Sequence, residues 1–148
     1  MVCPANMMHG LFVLMTNLQL KQGQSVEVKG FIPQDAKYFA VTMGKDASNL
    51  ALFFGARFES HGDINKIILN SRQANSWGAE VKEDSFPFWQ GAETTVCFTF
   101  YGYKITTCLP SGEQITFPLR FEMDKISYVS MESFHLKSFT VRNTCACV

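Results

Sequence analysis

A chain of 148 residues is enough for one domain with one core, which on folding buries about 70% of the surface its unfolded form exposes. Thirteen Lys and Arg balance thirteen Asp and Glu, so no basic field is available to draw in a phosphate backbone, and nucleic acid is excluded as the main partner. Fourteen Phe and 47% hydrophobic residues fit a thick core between two sheets.

The chain opens with "MVCPANMMHGLFVLMTNLQLKQ", whose only fully apolar run is residues 11–15. That is far short of the 18 or so residues of a membrane-spanning helix, and the basic segment and small-residue cleavage site of a secretory signal are missing. From residue 25 on, period-two alternation with β-branched and aromatic residues predicts strands over 25–31, 38–44, 50–56, 66–72, 94–109, 113–119, 126–131 and 134–141. Within them Val26 and Val28 are predicted to face in, against Glu27 and Lys29. Phe139 and Val141 should do the same against Thr140 and Arg142. Turns are marked by Lys21-Gln22-Gly23, Pro33-Gln34-Asp35, His61-Gly62-Asp63 and Pro110-Ser111-Gly112. Short, evenly spaced strands without a helical period imply an all-β sandwich of residues 1–148 as a single domain.

The five cysteines (Cys3, Cys97, Cys108, Cys145, Cys147) are odd in number and have no paired C-x-x-C spacing, which disfavours zinc. Cys97 and Cys108 lie in strand runs and read as buried thiols. Cys145-Ala146-Cys147 reads as an exposed, oxidation-sensitive end rather than a redox pair, and the composition reads as cytosolic and reduced.

Catalysis finds little support. Glu59, Asp63, Glu80, Glu83 and Asp84 are carboxylates in polar, turn-rich sequence, with no apolar pocket to raise one of their pKa values. No G-x-S-x-G occurs, and of the three histidines His9 and His135 read as structural. Binding is better served. A pyranose offers hydroxyls around its rim and an apolar C–H face, so its site needs a flat aromatic beside planar, multidentate polar groups. "RFESHGDINKIILNSRQANSWGAE" supplies Trp, Arg, Asn and carboxylates within one short stretch, although a core Trp77 beside a solvated charged edge would give the same composition.

"ARFESHGD", "NSRQANSWGAEVKED" and "FPFWQG" resemble the carbohydrate-recognition signature of the galectins, and the likeness extends through "PQDAKYFAVTMGKDASNLAL" and "FHLKSFTV". The resemblance implies a jelly-roll sandwich of two antiparallel sheets, β-galactoside binding on a concave face, no catalysis, no metal and no cofactor. It places Arg57 at the arginine of the H-x-N-x-R motif, near the galactose 4-hydroxyl and ring. Asn70 falls at the asparagine on the 6-hydroxyl, Trp77 at the stacking tryptophan, and Glu80 at the glutamate that orients the arginines. Lys82 stands where the family has a second arginine, keeping the charge without the fork, while His61 and Asp63 fall in a loop near the neighbouring sugar.

The motif itself departs from the family: its histidine is replaced by Phe53 and its asparagine by Gly55. A lost hydrogen-bond partner costs about 0.5–1.5 kcal/mol and a buried unpaired hydroxyl about 1–3, so the two losses would weaken galactoside binding on the order of 10- to 1000-fold. Three outcomes follow from this reading: weakened β-galactoside binding, a shift to another hexose such as mannose, or a retained fold with a structural or protein-contact role. The resemblance further implies glycans of glycoproteins or glycolipids as ligands and a homodimer paired through terminal strands. It also implies a cytoplasmic protein that is exported, if at all, without a signal peptide.

Overall fold

A computed structural model describes residues 11–145 and Cys147, and the readings of His9 and Cys3 lie outside those residues. Among the described residues the chain forms strands and no helix. The first six strands are β1 (Phe12–Met15), β2 (Ser25–Phe31), β3 (Tyr38–Asp46), β4 (Asn49–Ser60), β5 (Asp63–Gln73) and β6 (Ser76–Trp77). They are followed by β7 (Val81–Glu83), β8 (Glu93–Phe100), β9 (Lys104–Cys108), β10 (Gln114–Pro118), β11 (Tyr128–Glu132) and β12 (His135–Arg142). One antiparallel sheet has the order β1-β11-β3-β4-β5-β6 with β7 also on β5; the other runs β10-β9-β8-β2-β12. The two-sheet, all-β architecture is the predicted one.

Alternation decides which side chains meet between the sheets. Val26 and Val28 of β2 are buried while Lys29 is exposed, and Phe54, Ala56 and Phe58 of β4 face the same core. Phe39 stacks on Phe134 with ring centroids 5.4 Å apart and meets Phe88 edge-on at 5.0 Å; Phe54 meets Phe98 edge-on at 5.5 Å. Burying each ring fully contributes roughly 1.5–3 kcal/mol, and each well-angled aromatic pair about 0.5–1.5 more. One irregularity positions the groove. Leu50 pairs with Arg72 but Phe53 with Asn70, so β4 carries an extra residue there, and the adjacent Ala51 and Leu52 both join the core. After this bulge Phe53, Gly55 and Arg57 share the outer face.

Several expectations need correction. The predicted run 94–109 is a hairpin, broken where Gly102 adopts φ 90 between β8 and β9. Val141 points to the core side, opposite Val26 as Phe139 is opposite Val28, but it stays 48% exposed because β12 is the edge strand of its sheet. The reading of free thiols is also overturned: Cys97 is bonded to Cys145 and Cys108 to Cys147. Cys97 and Cys108 are register partners on β8 and β9. The two cysteines of the tail thus bond to facing residues of adjacent strands.

Candidate functional site

Two tight turns build the walls of a groove on the β4–β5–β6 face. His61 and Gly62 (φ 51 and 81) form the two-residue turn from β4 to β5, and Ala74 and Asn75 (φ 49 and 68) form that from β5 to β6. Both central residues of each turn are left-handed, the twist that suits a β-hairpin; Ala74 adopts it against its intrinsic preference. The second turn is pinned from outside: Ala74 N–H donates to Asn49 Oδ1 at 3.0 Å and Asn75 N–H to the Ser48 carbonyl at 3.0 Å. This fixes Trp77, which pairs with Arg72 across the hairpin. Trp77 stands 50% exposed, with the Arg72 guanidinium 5.2 Å from its ring centroid and the Arg72 Nη1 donating to the Ala47 carbonyl at 3.1 Å. The core-residue reading of this tryptophan is therefore excluded.

Arg57 lies across the same groove. Its Nη1 donates to Asp63 Oδ2 at 2.7 Å and its Nη2 to Glu80 Oε2 at 3.5 Å, while Lys82 Nζ donates to the other Asp63 oxygen at 2.9 Å. Hydrogen bonds from Lys82 and then Arg57 hold the Asp63 carboxyl below the ordinary carboxylate range. Asp63 therefore stays charged and fixes the plane of the guanidinium. Asn70, 5% exposed, is held by its own network: Nδ2 donates to the Gly78 carbonyl at 3.0 Å, and Oδ1 accepts from Ser71 N–H at 2.7 Å and Arg120 Nη1 at 3.1 Å. Arg120 Nη2 also donates to the Ala79 carbonyl at 2.7 Å, so one guanidinium braces Asn70 and the backbone below Glu80.

The motif departures prove to be one change. A Cβ built on Gly55 would lie 2.7 Å from Phe53 Cε2 and 3.0 Å from its Cζ, so the Phe53 ring is folded over the glycine. The same ring meets Trp77 nearly at right angles, centroids 5.4 Å apart. Where the family motif has two polar side chains, this groove has an aromatic floor.

Of the residues singled out in the sequence, Phe53, Gly55, Arg57, His61, Asn70, Trp77 and Glu80 line a groove of roughly 440 Å3. Asp63 and Lys82 do not line it; they stand behind Arg57 as its charge partners. Sequence reasoning missed Tyr38 and Glu132, which extend the groove onto β3 and β11. The Tyr38 hydroxyl donates to Glu132, and burial followed by that carboxylate pushes it up to about 12. It also missed Arg120, whose role depends wholly on tertiary contact. No group of side chains able to hold a metal ion occurs among the described residues.

Such a groove offers a flat apolar plate at one wall and a rigid fork of donors at the other, open along its length to water. That is how a protein grips a pyranose without cleaving it, and it places the chain among the β-sandwich lectins. A family profile for galactoside-binding lectins matches residues 12–141. Galectin-1 of Rhinella arenarum is 51% identical over 128 residues, covering 86% of this chain and 96% of that protein. A solved toad ovary galectin, in complex with thio-digalactose, superposes with a TM-score of 0.86 at 50% identity, covering 88% of this chain and 98% of that one. CG-16, a homodimeric agglutinin from chicken liver, superposes with a TM-score of 0.85 at 37% identity over 88% and 98% of the two chains. The chain belongs to the galectins, the family of galactoside-binding lectins, and like them it is a lectin and not an enzyme.

Proposed function

We propose that this lectin binds β-galactoside-type glycans in the Trp77–Arg57 groove, more weakly than a galectin with an intact H-x-N-x-R motif. The carrying observation is that a half-exposed indole and a guanidinium fixed by Asp63 line one groove from opposite sides. Trp77 serves as the stacking plate, Arg57 and Asn70 donate to ring hydroxyls, and Glu80 accepts from them. Phe53 replaces two polar contacts with an apolar one, which lowers affinity without closing the groove. Asp63 and Lys82 act through Arg57, and His61 sits at the open end beside Ser60.

Homodimer formation suits the sheet edges. Phe12 and Leu14 on β1 are 55% and 49% exposed, and β1 and β12 each end a sheet. Apolar side chains on unpaired edge strands favour pairing with a second copy, which would place two grooves on one particle for cross-linking glycans of glycoproteins or glycolipids. The two disulfides favour work in an oxidising, extracellular setting over the reduced cytoplasm.

The test is calorimetric titration with lactose, with mannose as the control sugar. The parent should bind lactose measurably and mannose not at all. Trp77→Ala should lose on the order of 100-fold, because about 2–3 kcal/mol of stacking and burial disappear. Equal lactose binding by parent and Trp77→Ala, or displacement by mannose alone, overturns the reading.

A further inference from the structure

Two cystines lie on the face of the molecule turned away from the groove, on the other sheet. On β8 and β9 the core takes Val96, Phe98, Phe100 and Ile105, so Cys97, Thr99, Thr106 and Cys108 point outward. Outward residues of a sheet that faces solvent are ordinarily wet, yet Thr99, Thr106 and Cys108 are each 7% exposed, Cys97 is 6% and Ser25, beside Thr99 on β2, is 0%. The tail leaving the edge strand β12 supplies the cover. Thr99 Oγ1 donates to Cys145 Sγ at 3.2 Å while lying 2.7 Å from Ser25 Oγ, and Cys147 Sγ sits 3.3 Å from the Gly112 carbonyl oxygen. None of the four cysteines belongs to the core cluster, and the family match stops at residue 141. The tail is thus an addition laid over a sandwich whose core closes without it.

We propose that this tail is a redox-operated strap, shut by the two cystines in an oxidising medium and released when both are reduced, with the groove on the opposite sheet unaffected. Opening each cystine consumes two electrons and two protons from thiol reductants. The attacking thiolate forms a mixed disulfide with one sulfur, a second thiol resolves it, and the products are two Cys thiols and the reductant's own disulfide. Cys145 and Cys147 are half-buried whereas Cys97 and Cys108 are buried, so attack falls on the tail sulfurs. A single surviving cystine keeps the other pair at high effective concentration, because only one residue separates Cys145 from Cys147. Release therefore needs both bonds open, and closure of one favours closure of the other.

The experiment uses the full chain carrying Cys3→Ser, equilibrated over a range of reduced to oxidised glutathione ratios and quenched by alkylation. Peptide mapping of the oxidised end should find Cys97 linked to Cys145 and Cys108 to Cys147; the reduced end should carry four alkylated cysteines. Carboxypeptidase should trim the tail at least tenfold faster after reduction, while lactose affinity changes less than twofold. Cys145→Ser with Cys147→Ser should be trimmed rapidly in either buffer, and Cys145→Ser alone should stay protected in the oxidising one. A Cys97–Cys108 link, free thiols in the oxidising buffer, equal trimming before and after reduction, or a lactose affinity that follows the redox state overturns the strap.

Discussion

The two ends of the groove are held by different physics. Around Arg57 the side chains are bolted to one another by charge: Asp63 takes hydrogen bonds from Arg57 and Lys82, and Glu80 meets the free edge of the guanidinium. Around Phe53 an aromatic ring lies over a glycine and nearly at right angles to the indole, with packing in place of hydrogen bonds. In a braced charge network each member is held by more than one partner, so a single change leaves the remaining groups short of a hydrogen bond. A ring over a glycine is a two-residue unit that can be exchanged for another two-residue unit, and here the family's polar pair has been exchanged.

The sharpest break comes from Asp63→Ala. It should cost about tenfold or more in lactose affinity although Asp63 does not line the groove, since the hydrogen bonds that fix Arg57 and Lys82 beside it are both lost at once. Titration calorimetry checks it; an unchanged affinity would mean that Glu80 alone orients Arg57. The aromatic end is tested by restoring the family residues. Gly55→Asn alone must displace the Phe53 ring and should lower the unfolding midpoint, whereas Phe53→His with Gly55→Asn should raise lactose affinity several-fold to tenfold. Double-mutant coupling of roughly 0.5–3 kcal/mol is expected for residues in contact, and strict additivity would show that the two positions are independent.

Much of the fold was readable from alternation alone: Ser25–Phe31 is a strand over the predicted residues, and the turns at His61-Gly62 and Pro110-Ser111-Gly112 separate strands as expected. Strands of two or three residues, β6 and β7, are too short to show a period. Within the site, the resemblance to the galectins pointed to the seven groove residues, but not to the folding of Phe53 over Gly55, since rotamers follow from neighbours on other strands. Arg120 sits 50 residues from Asn70, and the cystine partners are 48 and 39 apart. Spacing in the chain carries no trace of such contacts, and cysteine connectivity cannot be read from sequence.

A smaller effect probes the brace shared by both ends. A Cβ on Gly78 would fall 2.5 Å from Arg120 Nη1; the hydrogen bonds of Nη1 to Asn70 and Ser71 and of Nη2 to the Ala79 carbonyl leave the guanidinium little room to retreat. Gly78→Ala should therefore weaken lactose binding a few-fold through Asn70, and Arg120→Ala should reproduce that loss. If Gly78→Ala binds like the parent, Asn70 keeps its orientation without Arg120.

The smallest effect at neutral pH separates charge from packing most cleanly. Asp63 titrates below its ordinary value of 3.8 in the folded protein because Lys82 and Arg57 hydrogen-bond to its charged form. The folded state then binds fewer protons than the unfolded chain in acid, so the stabilisation from Asp63 is complete above the unfolded pKa and is lost as pH falls through the folded one. Unfolding midpoints of the parent and Asp63→Asn should accordingly differ by a constant amount between about pH 7 and pH 5, and converge only below about pH 4. Phe53→Leu should show no such convergence, because its loss is one of packing. If the parent and Asp63→Asn already draw together between pH 7 and pH 5, the group that stabilises the Arg57 end is not this carboxylate.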